Sequence, residues 1–447
     1  MSGPAPGAAV ARTMTGAPPP SDEPLRRNRD FQTLLVSQGV SALGDAVTAT
    51  ALPLLVLALT GSGLVMGTVT AINLGADFFM ATIAGAMADR GDRKRMMLLA
   101  DFGRALLTAL IPLSDIVHGP TMAVIILTTG PLAILRGFFR AGYLSAMPNL
   151  VGRSQLPRGN GILETAYSTT FLVGPAIAGF LVTVIGPGPT LAVDAASFGI
   201  SAIGLFLIRR EMKAPKDRPP SRIRDDIREG IVYVWRHPIL RTMILFFAST
   251  SAALASVSAA LTFRIVRDLG LSPGAFGVTL SGFGIGTLLG SLIAARLDKR
   301  TNVALVMFGS VALMGLPLVG AAIVTTLPLQ VLMSAISGFG ESLLVVTYIS
   351  VRAANSPDAL VGRIASTARV FTLGFGPIGS LIGGTLIDTI GGTETLAVLG
   401  FAMVAIALLF VRAPGLWAAS LANTPGPLPP AVSPVVEPLA EAELESG

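Results

Sequence analysis

The chain of 447 residues has no cysteine, two histidines, two tryptophans and only 13% charged residues. Without thiols it has no disulfide framework, no thiolate metal site and no cysteine nucleophile. His118 and His237 are far apart in sequence, one in a short loop and one at a span boundary, so no metal site is expected. No Gly-x-x-x-x-Gly-Lys-Ser/Thr phosphate loop occurs, which disfavours an ATP-driven machine. No Ser/His/Asp set and no cofactor loop can be assembled, so enzyme chemistry is not expected either. The scarcity of charge is itself informative, because a soluble domain is about a quarter charged.

What fills the chain instead is apolar: 52% of residues are hydrophobic, and the mean hydropathy is +0.71. These residues cluster into runs of about 20, the length of a membrane-crossing helix. They run continuously rather than alternating, which excludes a β-barrel. The reading is an all-α integral membrane protein with the lipid bilayer as its main partner.

Residues 1–30 are rich in Gly, Pro and Ala and end in Arg26, Arg27 and Arg29, which reads as a disordered tail. Apolar runs follow at about 31–59, 64–88, 96–115, 120–144, 160–185 and 190–208. Residues 209–238 form a basic linker with an amphipathic helical pattern over Ser221–Trp235. Six more runs lie at about 239–263, 273–296, 301–324, 328–351, 363–388 and 393–412, before a Pro- and Ala-rich tail, 413–447. The pattern predicts twelve spans in two six-helix halves, 31–208 and 239–412. Lys and Arg gather in the tails, the linker and the even-numbered loops, which predicts both termini inside, N-in and C-in. The same placement accounts for the pI of about 10.1 without nucleic acid as a partner.

The halves also echo each other. Gly174-Pro175-Ala176-Ile177-Ala178-Gly179 is followed by Thr190-Leu191-Ala192-Val193, and Gly376-Pro377-Ile378-Gly379 by Thr395-Leu396-Ala397-Val398. A weak echo of Ala88-Asp89-Arg90 stands at Arg296-Leu297-Asp298-Lys299-Arg300. Two like halves with a site between them near the midplane are one plan of secondary transporters.

Between the second and third runs, residues 89–95 pack six charges into seven positions. Here the chain resembles the major facilitator superfamily. Gly85-x-x-x-Asp89-Arg90-x-x-Arg93-Lys94 is similar to that superfamily's signature between spans two and three, with Asp92 where the family often has Gly. Gly44-Asp45, Leu52-Pro53-Leu54-Leu55, Asp92-Arg93-Lys94-Arg95, Asp101-x-x-Arg104-Ala105 and Gly174-Pro175 look like its twelve-span drug:proton antiporter branch, which includes macrolide and siderophore exporters. The resemblance implies proton-coupled efflux of a small amphipathic molecule at the cell membrane by a monomer, with the proton gradient as energy source and no cofactor. Uptake or facilitated passage of a metabolite, and a non-transporting membrane sensor of the same fold, are the other readings.

The resemblance makes Gly85, Asp89, Arg90, Arg93 and Lys94 a gate motif, with Asp89 at the N-terminal end of the eleventh span and Gly85 allowing a close helix approach. Gly174, Pro175 and Gly179 form the exporter motif. Charge within the hydrocarbon is costly and marks candidate sites. A proton-coupled carrier needs a carboxylate whose charge alternates, set by burial and nearby Arg, so Asp45, Asp77 and Glu341 are the proton candidates. Glu164 and Asp194 have an ion-pair reading. Arg136 and Arg140 share a face of span four, and with Phe138, Tyr167, Phe171 and Tyr348 they are candidates to line a substrate cavity. If Asp89 holds a gate, Asp89→Asn reduces transport while the protein stays in the membrane fraction; a variant with normal transport overturns the gate role.

Overall fold

The structure is a computed structural model, and it describes residues 24–88, 91–118, 122–212, 223–297, 301–357, 360–417 and 419. Twelve helices are long and apolar enough to cross a membrane. In the first half they are Arg29–Thr60, Gly63–Ala88, Arg93–His118, Met122–Leu150, Leu156–Ile185 and Pro187–Leu207. The seventh span, Pro238–Asp268, breaks at Ala255-Ser256 and ends in a π-helical turn, Phe263–Asp268. The eighth to twelfth are Pro273–Ala294, Val303–Ile323, Leu327–Ala354, Val361–Ile390 and Gly392–Phe410. No β-strand occurs among the described residues. Proline interrupts several spans, at Pro53, Pro112, Pro175, Pro317 and Pro377 among others. Membrane helices tolerate this because neighbouring side chains re-satisfy the freed backbone.

The linker helix, Ile223–Arg236, lies at one end of the bundle, where the first and eleventh spans begin. It packs against the eleventh span: Trp235 stacks on Phe371 with ring centroids 6.0 Å apart, and Glu229 pairs with Arg363. His237 then caps the seventh span, its Nδ1 accepting from the Leu240 N–H at 3.4 Å. Burial holds the His237 pKa below its ordinary value, in keeping with a neutral imidazole that accepts a hydrogen bond. The tail is expected to be disordered up to residue 30, but its last described residues are packed, as is the start of the linker. Leu25 and Asn28 are buried, and Asn28 both caps the first span and donates to the Leu150 carbonyl at 3.0 Å. Met212, at the start of the linker, is buried and accepts from the Arg93 N–H at 3.0 Å. In each case a buried apolar side chain outweighs the local Gly/Pro-rich or basic composition.

The internal repeat is physical. Gly186 and Gly391 precede the sixth and twelfth spans with φ of 85° and 95°, a conformation that favours glycine. Behind each, a fully buried threonine, Thr190 or Thr395, donates its hydroxyl to that glycine's carbonyl at 2.6 Å.

The halves meet tightly at the end remote from the linker helix. There the fifth span crosses the eighth, and the second crosses the eleventh. An added Cβ on Gly179 would stand 3.0 Å from the Gly277 Cα, and one on Gly384 would stand 2.5 Å from the Gly63 carbonyl oxygen. Small residues let helix backbones approach this closely in membranes. A side chain on Gly277 would press on the Pro175 carbonyl. Gly277→Leu is therefore expected to cost about 1–3 kcal/mol by overpacking and to lower both the melting temperature in detergent and transport. Gly309→Leu, where a Cβ meets nothing within 4 Å, leaves both unchanged.

Candidate functional site

Four charged residues from three spans of the first half form one cluster, of which Asp101, Arg104 and Asp194 are buried. Arg104, on the third span, is 4% exposed and holds Asp45 of the first span at 2.5 Å. One turn back on its own helix, Asp101 is fully buried 3.4 Å from the same guanidinium. Asp194, on the sixth span, is also buried; it accepts from Thr48 Oγ1 at 2.5 Å and from Ser197 Oγ at 3.1 Å. The guanidinium carbon of Arg104 sits 3.7 Å from the Phe198 ring centroid. Asp45 keeps 44% of its side-chain surface exposed, and it lies within electrostatic reach of Tyr167 on the fifth span. One guanidinium thus faces three carboxylates. Asp45 was visible in the sequence as a buried acid, but Asp101 and Asp194 joining it was not, since the three lie 56 to 149 positions apart along the chain.

A second set lines a cavity of about 340 Å³ between the halves. Arg136 donates to Asn73 Oδ1 at 2.5 Å and to Asp77 Oδ2 at 2.7 Å. Arg140 and Arg369 line the same cavity, with Met80, Ala84, Gly85, Leu144 and Leu373 as apolar wall. The cavity thus runs from mid-depth, at Asp77 and Arg136, toward the end of the bundle that carries the linker helix.

The other candidates separate clearly. Tyr348 does not face the cavity: it is buried and stacked on Phe247 with ring centroids 4.0 Å apart, part of the second half's core. Phe138 packs against the first half's core. Tyr167 and Phe171 are exposed on the fifth span, outside the cavity lining. Glu341 is half-buried and makes no hydrogen bond or ion pair among the described residues. Glu164 is exposed.

In the gate motif, Asp89 and Arg90 lie outside the described residues. Arg93 is buried, donating to the Ala88 carbonyl at 3.1 Å and to Asn149 Oδ1 at 2.8 Å. Lys94 donates to the Phe206 and Ile208 carbonyls, satisfying the end of the sixth span where a cation suits the helix dipole. The close approach expected at Gly85 is not made, because its Cβ would meet nothing within 4 Å; the cavity lies there instead. The Gly174-Pro175 motif lies on the inter-half seam, where the Ala176 N–H donates to Ser281 Oγ of the eighth span at 3.1 Å.

Two features gave no sequence signal beyond an isolated charge. Asp388, near the end of the eleventh span, accepts from Ser62 Oγ at 2.7 Å, the Gly63 N–H at 2.5 Å and the Leu64 N–H at 3.0 Å. It thereby caps the second span from the opposite half, an anion at a helix N-terminus. Arg264 is buried and bonds the Ala321 and Val324 carbonyls and the Thr393 hydroxyl, pinning the ninth span's end to the seventh and twelfth.

Removing one partner of a buried ion pair strands the other charge, at about 3–5 kcal/mol. Arg104→Gln is therefore expected to lower the melting temperature sharply and to broaden the size-exclusion peak in detergent. Arg95→Gln, which removes an 84%-exposed group 3.7 Å from Asp92, leaves both unchanged.

Residues 21–436 match the family model described as transmembrane secretion effector. The multidrug efflux pump Tap of Mycolicibacterium fortuitum is 27% identical over 400 residues, 88% of this chain and 97% of that protein. Tap of Mycobacterium tuberculosis is 27% identical over 391 residues, covering 86% and 93%. The enterobactin exporter EntS of Shigella boydii is 24% identical over 413 residues, covering 87% and 92%. Among solved structures, the nucleoside transporter NupG superposes with a TM-score of 0.69 at 15% identity, over 86% of this chain and 98% of that one. A bacterial homologue of the human lysosomal transporter Spinster, in an inward-facing and occupied conformation, gives 0.67 at 14% identity, over 88% and 97%. A model match over most of the chain, with twelve apolar helices in two like halves, places this protein in the transmembrane secretion effector family of major facilitator transporters.

Proposed function

We propose that this transporter exports small amphipathic molecules by alternating access, driven by inward proton flow. The observation that carries the reading is the partly apolar cavity between the halves, lined by ionisable side chains at mid-depth, with the halves apposed at the far end. The names of the relatives, a multidrug efflux pump and an enterobactin exporter, support export as the direction. The basic linker and loops support placing the linker end in the cytoplasm, which makes this an inward-open arrangement in the cell membrane. The unit is a monomer and uses no cofactor beyond the proton gradient.

Proton coupling rests on the cluster around Arg104. Asp45 is its exposed member and bonds the guanidinium directly. A proton taken up by Asp45 weakens that charge-assisted bond, and its loss restores it. Coupling requires that proton and substrate favour different arrangements of the halves, and residues 31–208 rocking against 239–412 supply them. Asp89 and its neighbours serve as the cytoplasmic latch in the opposite arrangement. Asp77 and Glu341 are further proton acceptors in this scheme.

Inverted vesicles test the reading. Energised vesicles holding the protein are expected to accumulate a fluorescent amphipathic dye, and an uncoupler to abolish the accumulation. Asp45→Asn is expected to lose accumulation while still binding the dye. Accumulation that survives the uncoupler, or an Asp45→Asn variant that accumulates normally, overturns the coupling.

A further inference from the structure

The cavity's charge does not balance. Among the described residues, three guanidiniums, from Arg136, Arg140 and Arg369, line it with one carboxylate, Asp77. That carboxylate is engaged by Arg136 at 2.7 Å. Arg140 and Arg369 make no ion pair or hydrogen bond among the described residues, and they face the same cavity from opposite halves. Asp45 is held by Arg104, and Glu164, exposed on the fifth span, is not part of the lining. Arg140 lies ten residues before the end of the fourth span at Leu150, and Arg369 eight residues after the start of the eleventh at Val361. At 1.5 Å per residue they sit about 15 Å and 12 Å from those helix ends, and both are exposed. Two like charges facing one cleft focus a positive potential into it and favour an opposite charge there.

We infer that Arg140 of the first half and Arg369 of the second receive the anionic head of an amphipathic substrate between them, a carboxylate being the simplest such head. The planar guanidinium suits that role, because it gives two parallel donors to a carboxylate where an ammonium is a point charge. Met80, Leu144 and Leu373 supply the wall for the apolar body. The pair spans the two halves, so an anion held by both draws them together at the open end and relieves their repulsion. A substrate with this head has a stake in closing the cavity that a neutral or cationic amphipath lacks. The inference rests on the export reading for the word substrate, but not for the binding chemistry.

Three dansyl probes of similar body separate the outcomes, using full-length protein in neutral detergent. They are dansyl-leucine, an anion; its neutral amide, dansyl-leucinamide; and a dansyl probe ending in a quaternary ammonium. The expected order of affinity is anion, neutral, cation. Arg140→Gln and Arg369→Gln are each expected to weaken the anion about tenfold, the worth of one charged hydrogen bond, and to leave the neutral probe unchanged. Arg140→Lys is expected to retain part of the anion affinity, which guards against a variant that merely misfolds. A cation or neutral probe that binds as well as the anion overturns the inference. So does a loss that falls equally on all three probes, or no binding by any of them. Energised vesicles then separate this from the export reading. If the neutral or cationic probe is exported and the anion is not, export stands and the anionic subsite falls. If the anion binds through both arginines and no probe is moved under a proton gradient, the subsite stands and export falls.

Discussion

A charge in hydrocarbon must find a counter-charge, a ring of hydrogen bonds or water, and that constraint sorts every ionisable side chain in this bundle. Arg104 answers it with two carboxylates and an aromatic face. Arg264 answers it with two helix-terminal carbonyls and a hydroxyl, and so becomes a pin between three spans. Arg136 answers it with Asp77 and Asn73. Each solution ties together helices that dispersion alone would hold only loosely, because lipid tails are as apolar as the helix surfaces. The polar residues thus set which helices touch and in what register, and the apolar ones fill the space between.

Glycine answers the complementary question of how near two backbones come. On the far side the fifth and eighth spans meet at Gly179 and Gly277, and the second and eleventh at Gly63 and Gly384. The Gly-Pro sequences of the two halves are out of step by three residues, and the glycines that match in contact are Gly174 and Gly379. Gly174 abuts Ala46 of the first span, and Gly379 abuts Ala252 of the seventh. The halves thus echo each other in contacts, with the matching glycines at Gly174 and Gly379 and at Gly179 and Gly384. A seam built on backbone contact can part and re-form as a rigid surface, which suits movement of whole halves better than interlocked side chains would.

Much of the architecture was legible because span length and charge placement are properties of single segments. Twelve runs of sufficient length, a basic break in the middle and paired Gly-Pro and Thr-Leu-Ala-Val motifs were enough for the fold. The site was legible only in part. Arg136 and Asp77 stood out as charges in apolar runs, and the structure pairs them. What stayed hidden was facing direction. A helix apolar all round gives no sign of which side meets lipid and which meets protein, so Tyr348 read as a cavity residue although it packs on Phe247. Gly85 read as a contact point through its motif, and in this arrangement of the halves it borders the cavity. Asp101 and Asp194 joined Asp45 through three helices distant in sequence, and no local pattern encodes such a meeting.

The carboxylate of Asp388 closes the far end by sitting at the start of the second span, its three partners all donors that water can replace. Each bond to Asp388 lost on parting is exchanged for one to solvent, so the net cost of release is small while the geometry stays selective. Such a contact acts as a detent. It gives the closed far end a defined resting position without trapping the protein there. A molecule that kept the parted end dry would remove the exchange and leave an anion and two backbone N–H groups without partners. The far end should therefore be most sensitive to greasy compounds that exclude water from the seam, whatever the central cavity selects.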